Sequence, residues 1–463
     1  MKNWLLILLL SSLPGWAQTE NPTVLPFAEF LGYVKKYHPM VRNAGLEVSM
    51  AEANLMKARG GFDPKLEADF SQKQFKDKEY YSLLNGTFKI PTWYGIEAKA
   101  GFENNDGLFL DPQNTVPNNG LASFGVSVPL GQGLLINQRM ADLRKAKTYL
   151  KLSQDEQKLR AVAVIHEASL AYFKWKRSFD EVQLYSEYLT VAENRFRGIK
   201  SLIEQGDKPA IDSIEARIIV SNRLVSLEDS KLKLNKAALE LSNFLWLDNA
   251  IPLELAETVQ PEKALANSIA TTLRTEELLQ NEPTIANHPK INVLERKIEL
   301  LTIDKKLKSN ALLPRIDLGY SYLAVPDSMS AYGLKDYKVG VNFAFPLFLR
   351  KERGDLKMAK LKLQESQFNL SLEKLELSNK IASQRIAVKS LEKQKKLIES
   401  LVADTETLVN SETRLFEFGE SSMFLLNSRE NSLISTQLSQ ITLENQLLIS
   451  HADLYQTMAN PGG

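Results

Sequence analysis

Lys338-Val339-Gly340-Val341-Asn342-Phe343-Ala344-Phe345-Pro346-Leu347 leads into a stretch, Arg350 to Glu417, that contains no proline. In the first part Val339, Val341, Phe343 and Phe345 alternate with Lys338, Gly340, Asn342 and Ala344. A period of two sends these two sets to opposite faces of a strand. Pro346 has no N–H to give to a ladder and stops the pairing. The proline-free stretch reads as one helix of about 70 residues, roughly 105 Å at 1.5 Å per residue, longer than an ordinary domain is wide.

The same order of features occurs earlier in the chain. Val126-Ser127-Val128-Pro129-Leu130 is a strand-like run stopped by proline, and Leu135 to Gln205 is again free of proline. Upstream, His38-Pro39 opens an amphipathic stretch closing at Phe62-Asp63-Pro64, and His288-Pro289 opens one closing at Leu312-Leu313-Pro314. Downstream, Gln205-Gly206-Asp207 and Phe418-Gly419-Glu420 interrupt each long helical pattern with a glycine suited to a helical hairpin tip. Return helices are expected over Ala210 to Trp246 and Ser421 to Met458. Three landmarks in one order mark an internal duplication. The expected organisation is a leader over 1–17, a first repeat over 18–248 (strands about 64–130, hairpin about 135–246) and a linker over 249–287. A second repeat follows over 288–458 (strands about 315–347, hairpin about 350–458), with a tail over 459–463. The linker contains Pro252, Pro261 and Pro283, with one short helix expected from Glu262 to Leu279.

Lys2 and the apolar run Leu5 to Leu10, ending in Gly15-Trp16-Ala17, have the pattern of a secretory signal peptide cleaved before Gln18. Beyond it no apolar stretch approaches the roughly 20 residues of a spanning helix, so any membrane span must be a closed β-barrel. There is no cysteine, hence no disulfide framework, and the formal net charge of +1 offers no basic surface for nucleic acid.

The remaining alternating runs supply barrel-wall candidates. In the second repeat Ile316, Leu318, Tyr320 and Tyr322 alternate with Asp317, Gly319 and Ser321. In the first, Leu66, Ala68 and Phe70 oppose Glu67, Asp69 and Ser71; Ile96, Ala98, Ala100 and Phe102 oppose Glu97, Lys99, Gly101 and Glu103; Phe124, Val126 and Val128 oppose Ser123, Gly125 and Ser127. One apolar and one polar face suit a wall between lipid and a wet lumen, although a soluble β-sandwich alternates in the same way. If all helices share one compartment, each strand block crosses an even number of times. The second block then holds two segments, and the first holds two or four, the further run being Ser82 to Ile90 with Pro91 to Gly95 as a turn. Tyr80, Tyr81, Trp93, Tyr94, Tyr332 and Tyr337 fall near strand ends, where interfacial aromatics collect.

Within the second long helix, Leu356, Leu363, Leu370 and Leu377 form one seven-residue column and Leu361, Phe368 and Leu375 another, about 150° away. Such a helix needs two neighbours, as in the wall of a tube or inside a bundle. His38, His166, His288 and His451 are scattered, two of them preceding a proline as helix entry points, and no metalloprotease, phosphate-loop or nucleophile-elbow motif is present. Neither an enzyme nor a cofactor is expected.

Taken together, leader, duplicated helix-strand-hairpin unit and glycine tips resemble the TolC-like outer-membrane efflux protein family over nearly the whole chain after the leader. The most specific pieces are Asp63-Pro64 and Leu313-Pro314 entering strands, Val128-Pro129-Leu130 and Phe345-Pro346-Leu347 leaving them, and the tips Gly206 and Gly419. The resemblance implies a mostly α fold with a transmembrane β-barrel, a homotrimer in outer-membrane lipid with a periplasmic helical tube. It also implies adaptor docking at tip residues Gly206, Asp207, Gly419 and Glu420, and an inner-membrane pump beyond the adaptor. Val339, Val341, Phe343 and Phe345 would face lipid. The family's polar entrance maps to Asp212 and Glu215 as candidate pore constriction, or these are acids placed at a helix N-terminus by its dipole. The corresponding positions of the second hairpin are Leu425 and Ser428, so an acidic ring would be one-sided. The competing function is a soluble periplasmic coiled-coil adaptor or scaffold.

Overall fold

The computed structural model describes residues 23–207, 209–280, 285–328 and 335–459. The expected leader, Pro283, Tyr332 and the last four residues of the tail lie outside the described residues. In chain order the elements are β1 (Val24–Leu25), α1 (Phe27–Tyr37), α2 (Pro39–Arg59), β2 (Lys65–Phe75), β3 (Lys78–Pro91), β4 (Glu97–Asp106), β5 (Leu121–Pro129), α3 (Gln138–Glu204) and α4 (Ala210–Ser242). There follow β6 (Trp246–Leu247), β7 (Ile251–Pro252), β8 (Gln260–Pro261), α5 (Leu265–Thr272), α6 (Thr275–Gln280), α7 (Pro289–Asn310), β9 (Arg315–Ala324), β10 (Tyr337–Ala344), α8 (Arg350–Glu417) and α9 (Met423–Met458). Contacts divide the chain into two compact units: Met1–His38, Glu167–Thr272 and Lys389–His451 in one, and Pro39–His166, Leu273–Val388 and Ala452–Gly463 in the other. Each unit draws on both repeats, because strands pair across the repeats in one unit and hairpins pack across them in the other.

The strand-bearing unit holds a six-stranded antiparallel sheet in the order β10-β9-β5-β4-β3-β2. Four of its strands come from the first repeat, so Ser82 to Ile90 lies within a true strand, β3, and the turn at Pro91 to Gly95 joins it to β4. At the opposite end Lys76 and Asp77 take φ of 52° and 56°, closing β2 onto β3 by a two-residue turn with both residues left-handed. The repeats meet where β5 pairs β9, with Val126 opposite Tyr320. Below the sheet, the Gln132 N–H donates to the Pro314 carbonyl (2.9 Å), and the Asn310 side chain donates to the Ile136 carbonyl (2.9 Å). These bonds hold the start of α3 against the end of α7, where Ile136, Ala141 and Ile303 form a small core. A second core joins Ile291 of α7 to Leu377 and Ile381 of α8.

The other unit is organised around aromatic rings at the middle of α3. Phe27 packs on Tyr172 and Phe173 at 5.1 Å between ring centroids, and Tyr172 meets Trp175 edge-on. The Tyr172 hydroxyl donates to the Leu25 carbonyl (2.6 Å) and accepts from the Glu262 N–H (3.1 Å), so one phenol ties the N-terminal segment and the linker to α3. Parallel pairing of β1 with β8 adds to this tie. Glu262 is not helical as expected; its carboxylate accepts from the Phe27 N–H (3.1 Å) and the Ser268 hydroxyl (2.9 Å). It satisfies an orphan donor at the start of α1, which its N-cap Pro26 does not. The single linker helix is divided as well. Arg274, at φ 52°, breaks it into α5 and α6. The first return helix ends at Ser242 rather than Trp246, whose strand β6 pairs with β7.

Both His-Pro sites open as expected onto helices. The His288 Nδ1 accepts from the Lys290 N–H (3.1 Å) and its Nε2–H donates to the Thr457 carbonyl (2.9 Å), which defines a neutral ring. Burial pushes His38 and His288 below their ordinary range, and His451 down to about 4. A folded-state pKa below the unfolded value favours the fold at neutral pH, and that advantage is lost as pH falls below about 6.5 toward the folded value. Thermal melts from pH 7 to pH 4 are therefore expected to lose up to about 3 kcal/mol at His451, and His451→Gln should flatten the profile; an unchanged pH profile in the variant would argue against this assignment.

Candidate functional site

In the sheet, register places most apolar residues of all six strands on one side. Val339 lies opposite Tyr320 and Tyr320 opposite Val126; Val126 lies opposite Ala98, Ala98 opposite Ile90, and Leu66 is paired with Phe88. Because the period is two, the intervening residues share the other side: Lys338, Asn342, Asp317, Ser321, Ser127, Glu97, Lys99, Lys89 and Glu67, with Leu83, Leu121 and Leu323 as apolar exceptions. The apolar side is uncovered. Val339, Val341 and Phe343 are 53%, 66% and 65% exposed, and Phe70, Phe88, Phe124 and Val126 are exposed too. A soluble adaptor would bury these residues. Phe345 departs from the expected set: it is exposed but lies one residue past the ladder, which ends at Ala344 opposite Arg315. Pro346 follows directly, so the strand cannot continue.

The polar side is crowded at its centre. A Cβ on Gly125 would overlap the Ser321 hydroxyl and the Tyr320 carbonyl, and one on Gly101 would press on the Ser123 hydroxyl. Crowding of this kind on one face is what a sheet curled toward that face produces. Aromatic rings mark both ends of the sheet: Phe62 stacks on Trp93 (5.7 Å) with Arg144 over the same indole, and Tyr80 packs on Phe109 (4.7 Å) at the other end.

At the hairpin tips the two repeats use one backbone device. The Gly206 N–H donates to the Ile203 carbonyl and the Asp207 N–H to the Leu202 carbonyl; the Gly419 N–H donates to the Phe416 carbonyl and the Glu420 N–H to the Leu415 carbonyl. With φ of 84° and 78°, the glycines supply the left-handed residue of this helix-ending motif. Asp212 falls in the first turn of α4 and Glu215 one turn on, both half-buried, and neither makes an ion pair among the described residues. Leu425 and Ser428 are exposed on α9. Met423 packs with Ala192, Ile199, Ala216 and Ile219, which joins the ends of both hairpins in one apolar cluster.

Polar ties between the hairpins were not visible in the sequence. Arg195 of α3 forms a two-pronged ion pair with Glu430 of α9, one prong at 2.7 Å, with the Glu430 side chain only 6% exposed. Arg223 of α4 donates to Asn431 (2.6 Å), and the Tyr188 hydroxyl donates to Gln437 (2.7 Å), whose amide reaches Glu406 of α8 (3.0 Å). Burial raises the Tyr188 phenol to about 12 and keeps this donor protonated. Each of these residues looks like an ordinary helix-surface group until the hairpins are laid together. Arg195→Met leaves Glu430 buried without its partner and is expected to destabilise the hairpin contact by about 3 kcal/mol, read as earlier proteolysis within α9; Arg195→Met with Glu430→Leu should recover most of the loss.

Comparison with known proteins agrees with this architecture. The outer membrane efflux protein family matches residues 282–460. No curated protein matches the chain. Among solved structures, the CmeC outer membrane channel of Campylobacter jejuni is 14% identical with a TM-score of 0.64, covering 94% of this chain and 85% of its own. The MtrE outer membrane channel of Neisseria gonorrhoeae, in its open state, is 12% identical at 0.64, covering 94% and 89%. The outer membrane protein VceC of Vibrio cholerae is 13% identical at 0.64, covering 94% and 96%. No helix among the described residues is long and apolar enough to cross a membrane. Residues 282–460 thus match the outer membrane efflux protein family, on a chain whose fold is that of the solved outer-membrane channels.

Proposed function

We propose that this chain is the outer-membrane channel of a tripartite efflux or secretion system. It is a passive exit duct for small molecules or exported protein, assembled as a homotrimer. The observation that carries the reading is the uncovered apolar side of the six-stranded sheet, backed by a charged and small-residue side. An uncovered face of this extent in water would aggregate; against hydrocarbon it is satisfied, provided the backbone is fully paired in a closed wall. Val339, Val341 and Phe343 then face lipid, with Phe345 at the boundary where the strand gives way to α8. The helices occupy the periplasm. The capped turns at Gly206, Asp207, Gly419 and Glu420 present the surface for a periplasmic adaptor, which links the duct to an inner-membrane pump.

Asp212 and Glu215 stand just beyond the first tip, and three copies would bring six carboxylates together at the entrance, with Leu425 and Ser428 supplying no further charge. Such a ring narrows the passage and favours cations. The duct itself performs no covalent chemistry. Direction and energy come from the pump.

The test is reconstitution. Purified protein in planar bilayers is expected to give stepwise conductance, with cation preference reduced in Asp212→Asn with Glu215→Gln. Val341→Arg, at a cost of about 2–4 kcal/mol in the lipid midplane, should sharply lower the yield in the outer membrane, whereas Asn342→Arg on the polar side should be tolerated. Recovery of the protein wholly in the soluble periplasm, or equal tolerance of both arginines, would overturn the reading.

A further inference from the structure

Two sheet edges have no partner among the described residues: β2 on one side and β10 on the other. With six strands in strict antiparallel order, the two edge strands run in opposite directions, so β10 of one copy can continue the same antiparallel ladder on β2 of the next. An open edge in lipid leaves a row of unpaired N–H and C=O groups and does not persist there. One copy curled on itself would trap Glu97, Lys99, Glu103 and Asp317 in an interior that side chains alone would fill. The helices show the same deficit. In the strand-bearing unit the column Leu356, Leu363, Leu370 and Leu377 turns inward, ending at buried Leu377, while Leu361, Phe368 and Leu375 stay exposed at 56%, 64% and 60%. In the hairpin unit Ile211, Ile218, Val225, Leu232 and Leu239, a seven-residue column along α4, are all more than half exposed, and Leu401, Leu408 and Leu415 form a similar column on α8. Each unit by itself therefore lacks a neighbour of its own kind, and the occupant that fits both the sheet edges and the heptad columns is a second copy of this chain.

We propose that each copy contributes six strands, so that three copies close an eighteen-stranded barrel, wider than the twelve strands that four per copy would give. This rests on the trimeric duct reading above and extends it to the dimensions of the passage. Eighteen strands spaced about 4.8 Å apart and tilted about 40° make a wall about 113 Å around, with a backbone diameter of about 36 Å; twelve strands make about 24 Å by the same geometry. Glycines at positions 101, 125, 319 and 340 of the inner face leave gaps between the longer side chains of their rows, Lys338, Lys99 and Lys89 in the row of Gly125 and Glu97 in that of Gly319. The wall of this protein thus leaves a wider passage at the membrane than twelve strands would, and selection by size falls to the helical entrance.

The absence of cysteine makes the seam directly testable. Inter-strand Cα separations of about 5 Å lie within disulfide reach. In the full-length protein in its membrane, Gly340→Cys or Asn342→Cys on β10 is combined in turn with Glu67→Cys, Asp69→Cys or Ser71→Cys on β2, and in a parallel set with Lys99→Cys or Glu103→Cys on β4. Oxidation is expected to give a non-reducing ladder ending at three chains for a β10–β2 pair and none for β10–β4. Because the register across the seam varies with barrel shear, strands are also counted in an electron-microscopy map of the purified particle, where eighteen are expected. A trimer with twelve strands, or a β10–β4 ladder, overturns the wide barrel and leaves the duct intact. A ladder ending at two chains overturns it as well, and a particle of one chain overturns both.

Discussion

The arrangement depends on the backbone hydrogen bonding of a sheet that has no cover on its apolar side. Where water is absent, every N–H and C=O must find a partner within the wall. Within the chain five strand-to-strand seams meet this need from β10 through to β2. Register is fixed by what each side chain can tolerate. A slip by one residue would send Lys99, Glu97 and Asp317 to the apolar side and Val126 and Tyr320 to the polar one. The tight approach at Gly125 acts in the same direction, since any other residue there would meet the backbone of β9.

Much of this was legible before any coordinate. Alternation in 338–345 and 316–322, prolines at positions 129 and 346 and glycines at the tips are local signals, and local physics acts on them directly: pleating, loss of an N–H, left-handed backbone. The long helices begin and end within a few residues of expectation for the same reason. What escaped depends on partners distant in sequence. Glu262 reads as a helix residue until Phe27 is placed beside it, and the helix break at Arg274 has no proline or glycine to announce it. Phe345 continues the alternation perfectly, yet pairing requires Arg315 and its neighbours, and the ladder has already run out. The Arg195–Glu430 pair joins residues more than two hundred positions apart on helices that each look evenly charged. The carboxylates at Asp212 and Glu215 are placed by the fold on the first turns of α4, but the entrance role proposed for them would depend on copies of the chain arranged around them.

The duplication is exact in some parts and relaxed in others. Helix-ending hydrogen bonds at Gly206 and Gly419 match bond for bond. The strand blocks do not match, with four strands against two, and the linker has no counterpart. Hairpin tips must both present a turn of the same geometry, whereas a sheet can be widened by a hairpin at any antiparallel seam without disturbing the helices that follow. Asymmetry has therefore accumulated where the physics permits it.

In the proposed trimer the exposed seven-residue columns also bear on the life of a single copy. Until it met its neighbours, such a chain would carry Phe368, Val225 and their companions bare in an aqueous compartment, together with two strand edges that have no partner among the described residues. Assembly on that reading is a race of third order in principle against adhesion to anything else apolar, and its yield would depend steeply on how many copies were delivered at once. Factors that hold the single copy, and a synthesis rate matched to them, would then be as much a requirement of this surface as the membrane proposed to receive it.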